Sequence, residues 1–174
     1  MNYFQRLKKA IFLDVAFYEE VEKDKKFTDQ AMMTVALVSI VQGLMIAGFA
    51  PIALLQGILG SLIRFVIWAF FIAFVGTRIL PEPETESNTG ELIRTLGFAY
   101  APGLLVVLKI VPIISTFVDP VVTILQLAAM TIAVRQALDF NSTVRAVGVC
   151  IVAFILMIVA VSYTHLTLPT NREV

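Results

Sequence analysis

Residues Gly57–Leu80 read GILGSLIRFVIWAFFIAFVGTRIL, and Arg64 and Arg78 are the only charges in this apolar stretch. A helix needs roughly 20 mostly apolar residues to cross the hydrocarbon core of a bilayer, and this stretch is of that length. Four further runs match it: Ala31–Phe49, Thr95–Val118, Val121–Leu138 and Val144–Ser162. In lipid only helices or closed barrels satisfy every backbone N–H and C=O. The runs are too long, and alternate too weakly, to be barrel strands. The expected fold is all-α: a polytopic membrane protein with five transmembrane helices.

Composition points the same way. Hydrophobic residues make up 59% of the 174 and mean hydropathy is +0.89, more than a soluble domain of this size buries. The formal charge of zero, from 13 basic and 13 acidic residues, conceals segregation. Charges crowd the first 29 residues and the connectors, leaving no basic face for nucleic acid. Cys150 is the only cysteine and lies within the last run, so an internal disulfide is excluded.

Arg6, Lys8, Lys9, Lys23, Lys25 and Lys26 precede the first run. Arg78 and Arg94 flank the connector after the second, and Arg135 and Arg145 the connector after the fourth. The connectors around Pro51 and Asp119 carry no basic residue. By the positive-inside rule this alternation places the N-terminus in the cytoplasm and the C-terminus outside, with five spans in the cell membrane. The acids Glu19, Glu20 and Glu22 ahead of the first run argue against a cleaved signal peptide.

Residues 1–29 form a leader ahead of the spanning domain, 30–162. Phe4, Leu7, Ile11, Val15 and Tyr18 recur at helical spacing. The stripe predicts an amphipathic helix, either lying in the cytoplasmic interface or packed on the bundle. Thr28 or Asp29 is placed to cap the first span. Residues 81–90, PEPETESNTG, read as a solvated acidic loop. Pro102 and Pro112, with Gly97 and Gly103, predict a kinked or broken third span. Irregular backbone at that depth survives only within protein or beside a wet cavity, so this span is expected to be central. Ser39, Gly43 and Ala47, and Gly57, Gly60 and Ser61, mark close helix contacts.

The candidate site is polar and intramembrane. Arg64 and Lys109 are expected in the outer half of the bilayer, with Gln42 and Gln126 at similar depth and no carboxylate beside them nearer than Asp119 at the outer surface. A cation there must snorkel, face water or meet an anion. Two readings stay open: an outward-facing site for an anion such as a lipid phosphate, or two side chains snorkelling separately. HExxH, GxSxG, P-loop, CxxC and paired intramembrane aspartates are all missing, so neither an enzyme nor a metal or other cofactor is expected. The end of the chain, SYTHLTLPTNREV, changes composition abruptly and resembles adapter read-through. Residues 163–174, including His165, are therefore expected to be a non-native tail.

The stretch Leu96–Pro102, LGFAYAP, resembles the Gly-aromatic-x-x-x-Pro signature of the Yip domain, the Ypt/Rab-interacting membrane protein family. Residues 133–146, AVRQALDFNSTVRA, are similar to the loop between the fourth and fifth spans of prokaryotic members. The motif positions are Gly97, Phe98, Tyr100, Pro102, Arg135, Asp139 and Arg145. The resemblance implies a non-enzymatic, multi-pass prokaryotic inner-membrane protein that organises membrane or binds partners. The long cytosolic N-terminal region of the Rab-linked members has no counterpart here. Its partners would be the lipid bilayer and a membrane protein or second copy. A small permease or lipid transporter component is the alternative.

Overall fold

The computed structural model describes residues 1–47, 50–82 and 89–167, with backbone alone for 46, 47, 161 and 164–167. Seven α-helices account for most of it: α1 (Tyr3–Ile11), α2 (Val15–Lys23), α3 (Thr28–Ala47), α4 (Pro51–Phe74), α5 (Thr89–Ala99), α6 (Ser115–Ala137) and α7 (Thr143–Thr167). A π-helical turn, Val75–Ile79, extends α4, and a 3₁₀ helix, Ala101–Ile110, continues α5. Five segments are long and apolar enough to span: Lys25–Met45, Pro51–Ile79, Thr89–Ile110, Ser115–Ala137 and Thr143–Ala160. Among the described residues there is no strand. The protein is an all-α, multi-pass membrane bundle, and the third span is its most buried member.

The leader departs from a single amphipathic helix. Leu13 adopts φ +60° between α1 and α2, and the Asp14 side chain caps α2 by accepting from Phe17 N–H. Restarting the helix rotates the stripe. Leu7, Ala10, Phe17, Tyr18 and Val21 are buried, whereas Phe4 and Val15 of the expected stripe are exposed. The leader is nevertheless packed on the bundle. Tyr3 bonds Thr34 at 3.0 Å, Arg6 donates to Gln30 at 2.7 Å, and the Arg6 guanidinium lies 4.6 Å from the Phe27 ring centre. Phe17, Phe27 and Phe98 meet edge to face, joining leader and third span. The cap ahead of the first span is Asp24, which accepts from Lys26 N–H in a single 3₁₀ turn, in place of Thr28 or Asp29.

The third span breaks once. Pro102 has no N–H of its own to offer the helix, and the chain rewinds from Ala101 as ten residues of 3₁₀ helix, with Gly103 N–H donating to Tyr100 O at 2.8 Å. Pro112 lies beyond this span, in the turn to α6, where Leu108 O accepts from Val111 N–H instead. The fourth span starts earlier than expected, at Ser115, and holds Pro120 in its second turn. Of the small-residue positions, Ser39, Gly43 and Ser61 are buried, and a Cβ on Gly57 would lie 3.5 Å from Gly43 Cα. A Cβ on Gly60 would meet nothing, and the Ala47 side chain lies outside the described residues.

One end of the bundle gathers the leader, the end of α4, the start of α5 and the α6–α7 turn. Arg145 donates to Pro81 O and pairs with Glu82 at 3.3 Å, and Arg135 donates to Phe140 O and Thr143. Residues 83–88 of the acidic loop lie outside the described residues, as do 168–174 of the tail; α7 itself continues through Thr167.

Candidate functional site

Arg64 is the fourteenth of the 29 residues from Pro51 to Ile79, which puts it near the middle of its span. Its neighbour Phe65 packs edge to face on Tyr100, ring centres 5.1 Å apart, so Tyr100 shares that level. Lys109 follows Tyr100 by nine residues of 3₁₀ helix, which rises about 2.0 Å per residue, or about 18 Å in all. The extra rise carries Lys109 to the far end, where it pairs with Asp119 at 2.7 Å. The two cations thus differ in depth, and Lys109 meets an anion, the Asp119 carboxylate expected to be nearest.

Two cavities hold the four predicted residues. One, of about 250 Å³, is lined by Arg64, Trp68, Tyr100, Thr123, Gln126 and apolar residues of α6 and α7. The other, of about 290 Å³, contains Gln42, Lys109, Asp119, Thr123 and Gln126 among its walls. Gln42, Lys109 and Gln126 are thus brought together, and Arg64 joins them only through Gln126. Gly103 sits where the two amides converge: a Cβ there would stand 2.9 Å from Gln42 Nε2 and 3.8 Å from Gln126 Oε1.

The Arg64 cavity is mostly apolar, with the exposed Arg64 at its edge. Arg64 makes no ion pair or hydrogen bond among the described residues, and Trp68 Nε1 is buried with no acceptor. A cation at the centre of a span costs about 2.5–3.5 kcal/mol on insertion scales. An indole N–H buried without an acceptor adds to that cost. Arg64 is exposed at the surface of the bundle, where an anion can reach it, whereas Trp68 Nε1 is closed off inside the protein. Trp68 stands one helical turn from Arg64, an i, i+4 relation visible in the sequence. Asp119, Thr123 and Gln126 likewise fall at helical spacing along α6.

The motif positions are mostly structural. Gly97 lets α5 approach α3 at Ala31, Phe98 joins the aromatic cluster, and Pro102 is buried at the helix break. Arg135 and Arg145 stitch the near end, and Asp139 takes φ +52° in the α6–α7 turn. Only Tyr100 among them lines the Arg64 cavity.

At the near end, burial pushes the Glu22 carboxyl up to about 7, helped by the charges of Asp139 and Glu91 and opposed by Lys23. Glu19 adds further repulsion. A carboxyl whose pKa rises on folding favours the fold while protonated. Stability should therefore fall as pH climbs from about 4.5, the ordinary carboxylate value, to about 7, and level off above. Thermal unfolding in detergent at pH 5 and pH 8 checks this. Glu22→Gln should narrow the difference, and an unchanged difference would refute the assignment.

The fold defines an all-α, multi-pass membrane protein with five helices able to span. No family model matches the chain, and comparison with curated proteins and with solved structures returns no match.

Proposed function

We propose that the chain is a non-enzymatic integral membrane protein of the Yip-domain type that organises its bilayer by holding an anionic lipid against Arg64. The supporting observation is the groove where the exposed Arg64 guanidinium, without an ion pair or hydrogen bond among the described residues, stands against apolar walls from α6 and α7. A lipid supplies both halves of the match: an oxyanion head for the donors, and a chain to lie along Leu127, Phe154 and Met157. The charge pattern supports a cytoplasmic N-terminus and an exterior C-terminus, and the resemblance to the Yip domain implies a prokaryotic inner membrane. On that reading the Lys109–Asp119 end faces outward.

Lipid-retention mass spectrometry on protein released gently from membranes tests the site. Arg64→Leu should lower retention of phosphatidic acid or phosphatidylglycerol about fivefold or more and leave phosphatidylcholine unchanged. Equal retention of anionic lipid by the two proteins would overturn the reading. The alternative, a small lipid transporter component, draws support from the walls that the two cavities share. Against it stands the helix break, confined to the third span, whereas transporters built from repeats tend to break helices in matching positions.

A further inference from the structure

We infer that the two cavities form one half-channel, a groove leading from the Lys109–Asp119 end to Arg64, that admits the oxyanion head of an amphiphile, phosphate or carboxylate. The inference rests on the Arg64 reading and adds the route and the entry side. Thr123 and Gln126 belong to the walls of both cavities, so the spaces adjoin. Asp119, Thr123 and Gln126 follow one another at four- and three-residue spacing on α6 and run as a polar stripe from the far end toward Arg64. Gly103 faces this stripe without a side chain, and the Gln42 amide lies beside it. Past Arg64 the lining turns apolar at Leu127 and Met130. The polar part of the route therefore ends at Arg64, beside the exposed apolar side chains of Leu127 and Phe154.

The mouth carries its own selectivity. Lys109 and Asp119 pair at 2.7 Å, with side chains 36% and 61% exposed. A pair this open to its surroundings is held weakly. While it is closed the mouth is neutral, and an arriving oxyanion competes with Asp119 for the Lys109 ammonium. Lys109 then becomes the first cation on a path whose second is Arg64, and Gln42, Thr123 and Gln126 supply polar contacts between them.

Full-length protein in intact cells, with Cys150→Ala as background and Gln126→Cys as reporter, tests the route. Membrane-impermeant methanethiosulfonates are applied outside, one carrying a sulfonate and one a trimethylammonium group. The sulfonate reagent should react several-fold faster. Asp119→Asn should speed it further, and Lys109→Gln should abolish the preference. A Gln126→Cys protein that stays unmodified while Ser115→Cys at the mouth reacts would overturn the half-channel, as would equal rates for both reagents. In liposomes, protection of Gln126→Cys by 10 mol% phosphatidic acid identifies a lipid head as the occupant, and protection by dissolved phosphate alone identifies a free anion. Protection by neither would overturn the oxyanion assignment. Unchanged retention in Arg64→Leu with the labelling preference intact would overturn the lipid reading alone. A lost preference with Arg64-dependent retention intact would overturn the half-channel alone.

Discussion

Replacing Arg94 by leucine should loosen the leader from the bundle and cost about 3 kcal/mol, the order expected when a buried charged donor is removed from two acceptors. Arg94 is 3% exposed. Its Nε donates to Val21 O at 3.1 Å and its Nη2 to Glu22 O, two carbonyls in the last turn of α2. Helix carbonyls there have no intrahelical partner, and a cation at a helix C-terminus also answers the macrodipole. Without it the carbonyls stay buried and unpaired beside Glu22, with Glu91 and Asp139 near enough to repel that carboxyl. Arg94→Lys keeps the charge but offers one ammonium where a planar fork reached two oxygens, so it should fall between. Denaturant unfolding in detergent gives the stability, and limited proteolysis between residues 12 and 25 reports release of the leader. A leucine variant within about 0.5 kcal/mol of the parent, the scatter usual for surface changes, and no easier to cleave would show that Arg94 does not hold it.

The spans were legible because lipid imposes a length and a polarity that few other constraints imitate. Their ends were less so. Pro112 looked like a break within the third span, yet it stands in a turn, and Pro120, which fell between the third and fourth runs, is accommodated in the second turn of α6. The leader stripe failed at Leu13, since periodicity assumes an unbroken helix and a left-handed residue resets the phase. Arg94 read only as a charge marking orientation, for nothing local announces that its partners are carbonyls more than seventy residues earlier.

The same distinction applies to the candidate site. A guanidinium and two amides in apolar runs stand out, so Arg64, Gln42 and Gln126 were readable. Trp68 was hidden among other aromatic residues of the spans, and Tyr100 stood out only as a motif position. The depth of Lys109 depended on whether the third span wound as α or 3₁₀ helix, a difference of about 0.5 Å per residue. Proline announces a break without saying how the chain rewinds after it.

Gly97 and Gly76 make opposite predictions from similar-looking contacts. A Cβ at Gly97 would sit 2.9 Å from Ala31 Cβ and 3.1 Å from the carbonyl carbon and oxygen of Ala31. Two of those three atoms are backbone, so α3 itself would have to move. Gly97→Ala should cost about 1–3 kcal/mol, the range for overpacking a closed contact, and Gly97→Leu should prevent α3 and α5 from docking. Ala31→Gly in the Gly97→Ala protein should recover only part of the loss, because the backbone contacts remain; the coupling is read from a double-mutant cycle. A Cβ at Gly76 comes nominally closer, 2.3 Å, but to Leu138 Cδ1, the end of a side chain that can change rotamer. Gly76→Ala should therefore cost less than Gly97→Ala, although Leu138 is fully buried and its adjustment is not free. Unfolding midpoints of the two alanine variants, measured in one detergent, decide the matter. A larger loss at Gly76 than at Gly97 would mean that the α3–α5 crossing yields more easily than one leucine side chain, and that the tight packing of the third span does not rest on Gly97.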